Sequence, residues 1–217
     1  MNVGVLASHE GTTLQSLLDA FADERIPGRV SVVVSNNRDS GALARAREAG
    51  VQAVHLSSST HPDPAALDAA IRDVLIAATV DVVFLAGYMK KLGPFVLGTF
   101  QGRILNTHPA LLPKFGGRGM YGDRVFEAVL EAGDAESGVS IHLVDPEYDT
   151  GPIVCQCKVP VLQHDSVDDL KARVRAREKE FVVETLAAIA TASLDYKQRL
   201  QRVADSFRAS QLDAENW

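Results

Sequence analysis

The chain has 217 residues, enough for one α/β domain with a full core and at most a helical extension beside it. A hydrophobic fraction of 46% and a charged fraction of 23% are those of an ordinary globular protein. A net charge of -6 argues against nucleic acid, which needs a concentrated basic surface, but leaves small anionic substrates open because a few local donors override the global sign.

Met1 leads straight into Val3-Gly4-Val5-Leu6-Ala7, without the basic and apolar regions of a signal peptide. No apolar stretch approaches the ~20 residues needed to cross a bilayer, so the expectation is a cytoplasmic chain with no membrane partner. Cys155 and Cys157 alternate with Gln156 and would share one strand face. Nothing nearby supplies further ligands, so they read as thiols in a reducing compartment and no metal is expected.

From the first residue, β-rich runs alternate with amphipathic stretches. Asn2–Ala7, Val30–Ser35, Ala53–Leu56, Val80–Ala86 and Arg103–Asn106 read as strands. Thr13–Ala22, Ser40–Ala49, Pro64–Ala78 and a short piece near Pro94–Thr99 read as helices. Such alternation specifies right-handed βαβ units and a mostly parallel sheet covered on both faces. Beyond Asn106 the rhythm changes: Asp123–Glu131 is helical, and Ser137–Val144 with Ile153–Val161 read as antiparallel strands at the sheet edge. Ser166 then caps a helix reaching about Ala190. The expected architecture is a single Rossmann-like three-layer α/β domain over residues 1–192, with 193–217 as a helical or frayed extension.

Chemistry gathers where the fifth strand ends. Asn106, His108 and Pro109 follow directly on Arg103-Ile104-Leu105, and open α/β sheets bind ligands just outside their C-terminal strand ends. Asp149 lies in a turn-rich stretch, Asp145 to Pro152, that can bring a carboxylate back over the sheet. An amide, an imidazole and a carboxylate in one crevice supply a carbonyl-polarising donor, a proton carrier and an orienting or relaying group. That set suits transfer of an acyl-like group to an amine, with neither a metal nor a covalent nucleophile. His142, inside a strand whose alternation points it toward the crevice, is a supporting candidate.

Two loops add to this. Ser8-His9-Glu10-Gly11-Thr12-Thr13 joins the first strand to the first helix, where free N–H groups form an anion site, although Thr12 or Thr13 can instead cap the helix. Gly116 to Gly122 holds four glycines in seven residues and reads as a lid or a close approach to ligand. Arg175 and Glu178, three apart on the late helix, share a face.

The run Asn106-Thr107-His108-Pro109-Ala110-Leu111-Leu112-Pro113-Lys114-Phe115, with His142-x-Val144 and Asp149-x-Gly151-Pro152, resembles the formyltransferases that use 10-formyltetrahydrofolate. Over about Met1 to Ala190 the pattern is most similar to the small members that formylate glycinamide ribonucleotide in purine biosynthesis. The resemblance implies that Asn106 and His108 stabilise the oxyanion, and that Asp149 holds His108 cationic and relays the amine proton. It also implies that Gly11, Thr12, Thr13 and Arg175 meet the substrate phosphate, and that Glu178 meets the rest of the acceptor. Met89, Lys90, Leu92, Leu97, Ile104, Val144, Asp145 and Tyr148 would line the folate pocket. The formyl folate is the co-substrate, and the implied partners are small molecules, with a homodimer compatible.

Three features depart from the commoner pattern: His9, Thr12 and Thr13 in the phosphate loop, Lys90 where arginine is frequent, and the Gly116–Gly122 loop. The atypical acceptor loop keeps a formyltransferase acting on an amino-sugar nucleotide as an alternative; a non-catalytic folate- or anion-binding protein on the same fold is another, and replacement of His108 or Asp149 would be its signature. A tRNA formyltransferase would need a further basic domain, and a deformylase an N-terminal regulatory one.

Overall fold

The computed structural model describes residues 1–191; the expected extension over 193–217 lies outside the described residues. One seven-stranded sheet runs in the order β3-β2-β1-β4-β5-β6-β7. Its strands are β1 (Asn2–Leu6), β2 (Arg29–Ser35), β3 (Gln52–His55), β4 (Val82–Leu85), β5 (Ile104–His108), β6 (Glu136–Leu143) and β7 (Ile153–Pro160). The pairings from β3 through β5 are parallel, while β5–β6 and β6–β7 are antiparallel. Between them run α1 (Thr12–Ala22), α2 (Gly41–Glu48), α3 (Pro64–Ala77), α4 (Pro94–Thr99), α5 (Asp123–Glu131) and α6 (Val167–Thr191). This is the expected mostly parallel sheet with antiparallel edge strands.

Two cores, one on each face of the sheet, complete the three layers. Leu14 and Leu17 of α1, Phe126 of α5 and Val174 and Val182 of α6 pack with Leu105 and Ile141 on one face. Ile71 and Leu75 of α3 and Val96 of α4 pack with Leu6, Val83 and Ile104 on the other. Alternation along a strand sends successive side chains to opposite faces. On β5, Leu105 and Ile104 therefore head opposite stripes, with Thr107 following the first and Asn106 and His108 the second. The Ser166 cap forms as expected and is reciprocal: Asp169 N–H donates to Ser166 Oγ, and Ser166 N–H donates to the Asp169 carboxylate.

β5 is longer than its apolar run suggests. Its parallel pairing with β4 stops at Leu85↔Asn106, but antiparallel pairing with β6 continues through Thr107↔Ile141 to His108↔Ser140. Asn106 and His108 are thus ladder residues held on one side, projecting past the end of β4. Order reversal between β1 and β4 opens the crevice beside them, as in other doubly wound sheets.

Candidate active site

At the end of β5, four polar side chains form one chain of contacts. Asn106 Nδ2 lies 3.0 Å from His142 Nε2, directly across the ladder. His142 Nδ1 is 2.8 Å from the Leu143 carbonyl and must donate to it, which leaves Nε2 as an acceptor and turns the Asn106 NH2 toward it. One proton of that NH2 is spent on His142 and the second remains for a ligand. Asp149 bridges the two imidazoles, 3.5 Å from His108 Nδ1 and 3.5 Å from His142 Nε2. His108 Nε2 donates to the Phe115 carbonyl at 2.7 Å. Both histidines are buried.

Burial dominates the electrostatics of His108 and lowers its pKa, against the pull of Asp149 and the Phe115 carbonyl. At 3.5 Å the attraction of Asp149 offsets only part of the lost hydration. For Asp149, burial works upward, but the His142 and His108 rings beside it and the Gly117 N–H together bring its carboxyl below the usual range. Lowered basicity on the imidazole and on the carboxylate beside it leaves the two groups able to share one arriving proton.

The loop after β5 is pinned from β6 and β7. Ser140 Oγ accepts from Leu112 N–H at 2.9 Å and donates to the Ala110 carbonyl at 2.6 Å. Gln156 Nε2 donates to Ser140 Oγ at 2.7 Å and to the Leu112 carbonyl at 3.0 Å. This bracing delivers the Phe115 carbonyl to His108 and the Gly117 N–H to Asp149 Oδ2, the latter at 3.0 Å. Gly116 must be small here, since a Cβ would stand 2.3 Å from Leu112 Cδ2. The glycine-rich loop is therefore built into the polar cluster at its leading end.

On the α1 side, Gly11 is the N-cap of α1 with φ 70, and no side chain caps the first turn. Neither threonine plays the capping role, so the N–H groups of that turn face outward with positive partial charge. α1 packs along α6. There Glu178 is half-buried and faces the buried Thr107 hydroxyl. Burial pushes the Glu178 carboxyl up, with Thr107, Arg175 and Lys179 opposing it. Arg175 is exposed. On the α3 side, Leu92, Leu97, Ile104 and Val144 belong to one apolar cluster. Tyr148 is exposed, with Lys91 Nζ 5.5 Å from its ring centroid and 3.4 Å from Glu147.

Residues 1–186 match the formyl transferase family. The chain belongs to that family. It is 42% identical over 177 residues to the phosphoribosylglycinamide formyltransferase of Haemophilus influenzae, covering 81% of each chain. To the Mycobacterium tuberculosis protein of the same name it is 42% identical over 187 residues, 86% of this chain and 84% of that one. Among solved structures, glycinamide ribonucleotide transformylase 1 of Symbiobacterium toebii superposes with a TM-score of 0.82 at 42% identity, covering 88% of both chains.

In this formyl transferase the expected trio Asn106, His108 and Asp149 comes together, and Leu92, Leu97, Ile104 and Val144 gather beside it. Met89 and Lys90 also line a cavity of about 880 Å³, with His9, Asn36, Arg38, His55 and other polar residues at the ends of β1 to β3. None of Asn106, His108, His142 and Asp149 lines that cavity. The Asp145 carboxylate accepts from Glu147 N–H and Thr150 Oγ1, both at 2.9 Å, so it folds its own turn. Sequence reasoning underrated His142, which stands at the centre of the network; its register opposite Asn106 was the available signal. It did not single out the backbone groups of Phe115 and Gly117, which no residue type announces.

Proposed function

We propose that this formyl transferase moves the formyl group of 10-formyltetrahydrofolate to the amine of glycinamide ribonucleotide by direct attack. The observation that carries the reading is the Asn106–His142–Asp149–His108 chain at the end of β5, between a donor-rich face and an apolar one. On the α1/α6 side, the uncapped first turn of α1 with Thr12 and Thr13 suits a phosphate, and Arg175 suits its charge. The buried Thr107 hydroxyl and Glu178 suit the polar acceptor. Opposite them, Leu92, Leu97, Ile104 and Val144 suit the flat ring of a folate, with Tyr148, Met89 and Lys90 toward solvent. The names of the relatives support the acceptor.

Chemically, the neutral amine attacks the formyl carbon, and the carbonyl oxygen becomes an oxyanion. The free Asn106 amide proton donates to that oxygen where its charge develops. Asp149 accepts the amine proton through water and shares it with His108 Nδ1, whose cationic form then lies beside the oxyanion. Collapse breaks the bond from the formyl carbon to folate N10, which leaves with one proton, so the amine's proton ends on N10.

The test is turnover of purified protein with 10-formyltetrahydrofolate and three acceptors: glycinamide ribonucleotide, an amino-sugar nucleotide and an initiator tRNA. Folate deformylation is expected with the first alone. Preference for the amino-sugar nucleotide, or no turnover with any of them, would overturn the assignment.

A further inference from the structure

Asp68 is a buried carboxylate on α3 that the proposed chemistry does not use. Its two oxygens are divided between neighbouring backbone donors: Gly93 N–H to Oδ1 at 3.0 Å and Phe95 N–H to Oδ2 at 2.7 Å. Gly93 is the N-cap of α4 and contributes no side chain to the cap, so a residue 25 positions earlier in the chain closes that helix. The packing is tight from both sides, because a Cβ on Gly93 would stand 2.4 Å from Asp68 Cγ. The backbone of Gly93, at φ -93 and ψ 178, is open to any residue, so closeness to Asp68 is what requires glycine there. Tyr88, at the other end of the same segment, is pushed up to about 12 by burial and by the Asp68 charge. One carboxylate is thus coupled to both ends of residues 88–95.

That segment and α4 carry Leu92 and Leu97, which share the apolar cluster of Ile104 and Val144. Because α4 has six residues, it is too short to hold its own position by helix propensity. We infer that Asp68 is the positioning residue that sets the co-substrate wall, holding Leu92 and Leu97 at a fixed distance from Ile104 and Val144. This rests on the proposed reading of that cluster as the folate pocket. Asp68 acts through backbone donors and touches neither substrate.

The experiment compares wild type with Asp68→Asn, Asp68→Ala and Gly93→Ala. Asn keeps one acceptor oxygen and Ala keeps none. Gly93→Ala leaves the carboxylate intact and displaces α4 by collision. Steady-state kinetics give kcat and both KM values, and thermal melts monitor folding. Charge-assisted hydrogen bonds to backbone are strong enough that the folate KM should rise about tenfold in Asp68→Ala and Gly93→Ala, and less in Asp68→Asn. The acceptor KM and kcat should stay within about twofold, since α1, α6 and the end of β5 lie on other elements. An unchanged folate KM in all variants that melt cooperatively would overturn the proposal. So would parallel losses in both KM values and kcat, which mark general loosening. If wild type itself fails to bind 10-formyltetrahydrofolate, the folate reading fails instead.

Discussion

Replacing Asp149 by Asn tests the proton path with little change of shape. The remaining amide oxygen still accepts from the Gly117 N–H, now 3.0 Å away, so the loop keeps its anchor. What is lost is a negative charge 3.5 Å from His108 Nδ1. At that separation and an effective dielectric constant near 20, the charge is worth at most about 5 kcal/mol to a proton arriving on His108. That upper bound corresponds to roughly 10³–10⁴-fold in rate, inside the ~10²–10⁴ range of general acid–base effects. We therefore expect kcat to fall by roughly 10³ while both dissociation constants stay within about tenfold. His108→Asn should lose a similar amount, and the double variant much less than the product, because the two act on one proton. Single-turnover rates and equilibrium binding for the three variants provide the check. Near-normal kcat in Asp149→Asn would refute the relay, and multiplicative losses would refute its unity.

The pH profile should show the same pair. His108 works as a neutral acceptor with a pKa below the ordinary value of about 6.5, so the acid limb of kcat/KM should fall with a midpoint below that value, and lower still in Asp149→Asn; a midpoint above it contradicts the burial argument. The linked stability has a definite sign: the unfolded chain takes up the His108 proton first, so that contribution is complete above about pH 6.5 and is lost as pH falls toward the folded pKa, which denaturant melts of wild type and His108→Asn at pH 7 and pH 5 would compare. Ser140→Ala strands partners in Leu112, Ala110 and Gln156 and should cost about 1–3 kcal/mol in a denaturant melt, with a smaller effect on substrate binding. Replacing Thr12 and Thr13 together by Val should raise the acceptor KM several-fold and spare the folate KM; Gly11→Val is a poor probe, because Gly11 has φ 70 and a Cβ there would lie 2.7 Å from Ala42 Cα.

The alternation of apolar runs with capped helices carries its own geometry, which is why the sequence reading placed every strand and helix of the described residues within a few positions. Asn106 and His108 were legible as a site because polar residues at the end of a buried strand need a reason to be there. Their setting was less so. The two extra residues of β5 exist because β6 pairs antiparallel beyond the end of β4, and nothing in Arg103–Asn106 encodes that partner. His142 owes its central place to cross-strand register, and Phe115 and Gly117 act through backbone atoms, which leave no mark on residue type. Met89 and Lys90 face a neighbouring cavity because the chain turns after β4, a turn fixed by Met89 N–H donating to Ser8 Oγ. Lowered basicity at His108 is a balance of burial against charge that only three-dimensional packing decides.

The most direct measurement follows the formyl carbon itself. Enzyme is incubated with 10-formyltetrahydrofolate labelled with carbon-13 in the formyl group, together with glycinamide ribonucleotide, and the products are read by carbon NMR. Direct attack by the amine predicts stoichiometric transfer of label into the acceptor's formamide, with none in free formate. Label appearing in formate would mean that water is the nucleophile, and label remaining on the folate would mean that the site does not catalyse transfer; either contradicts the account.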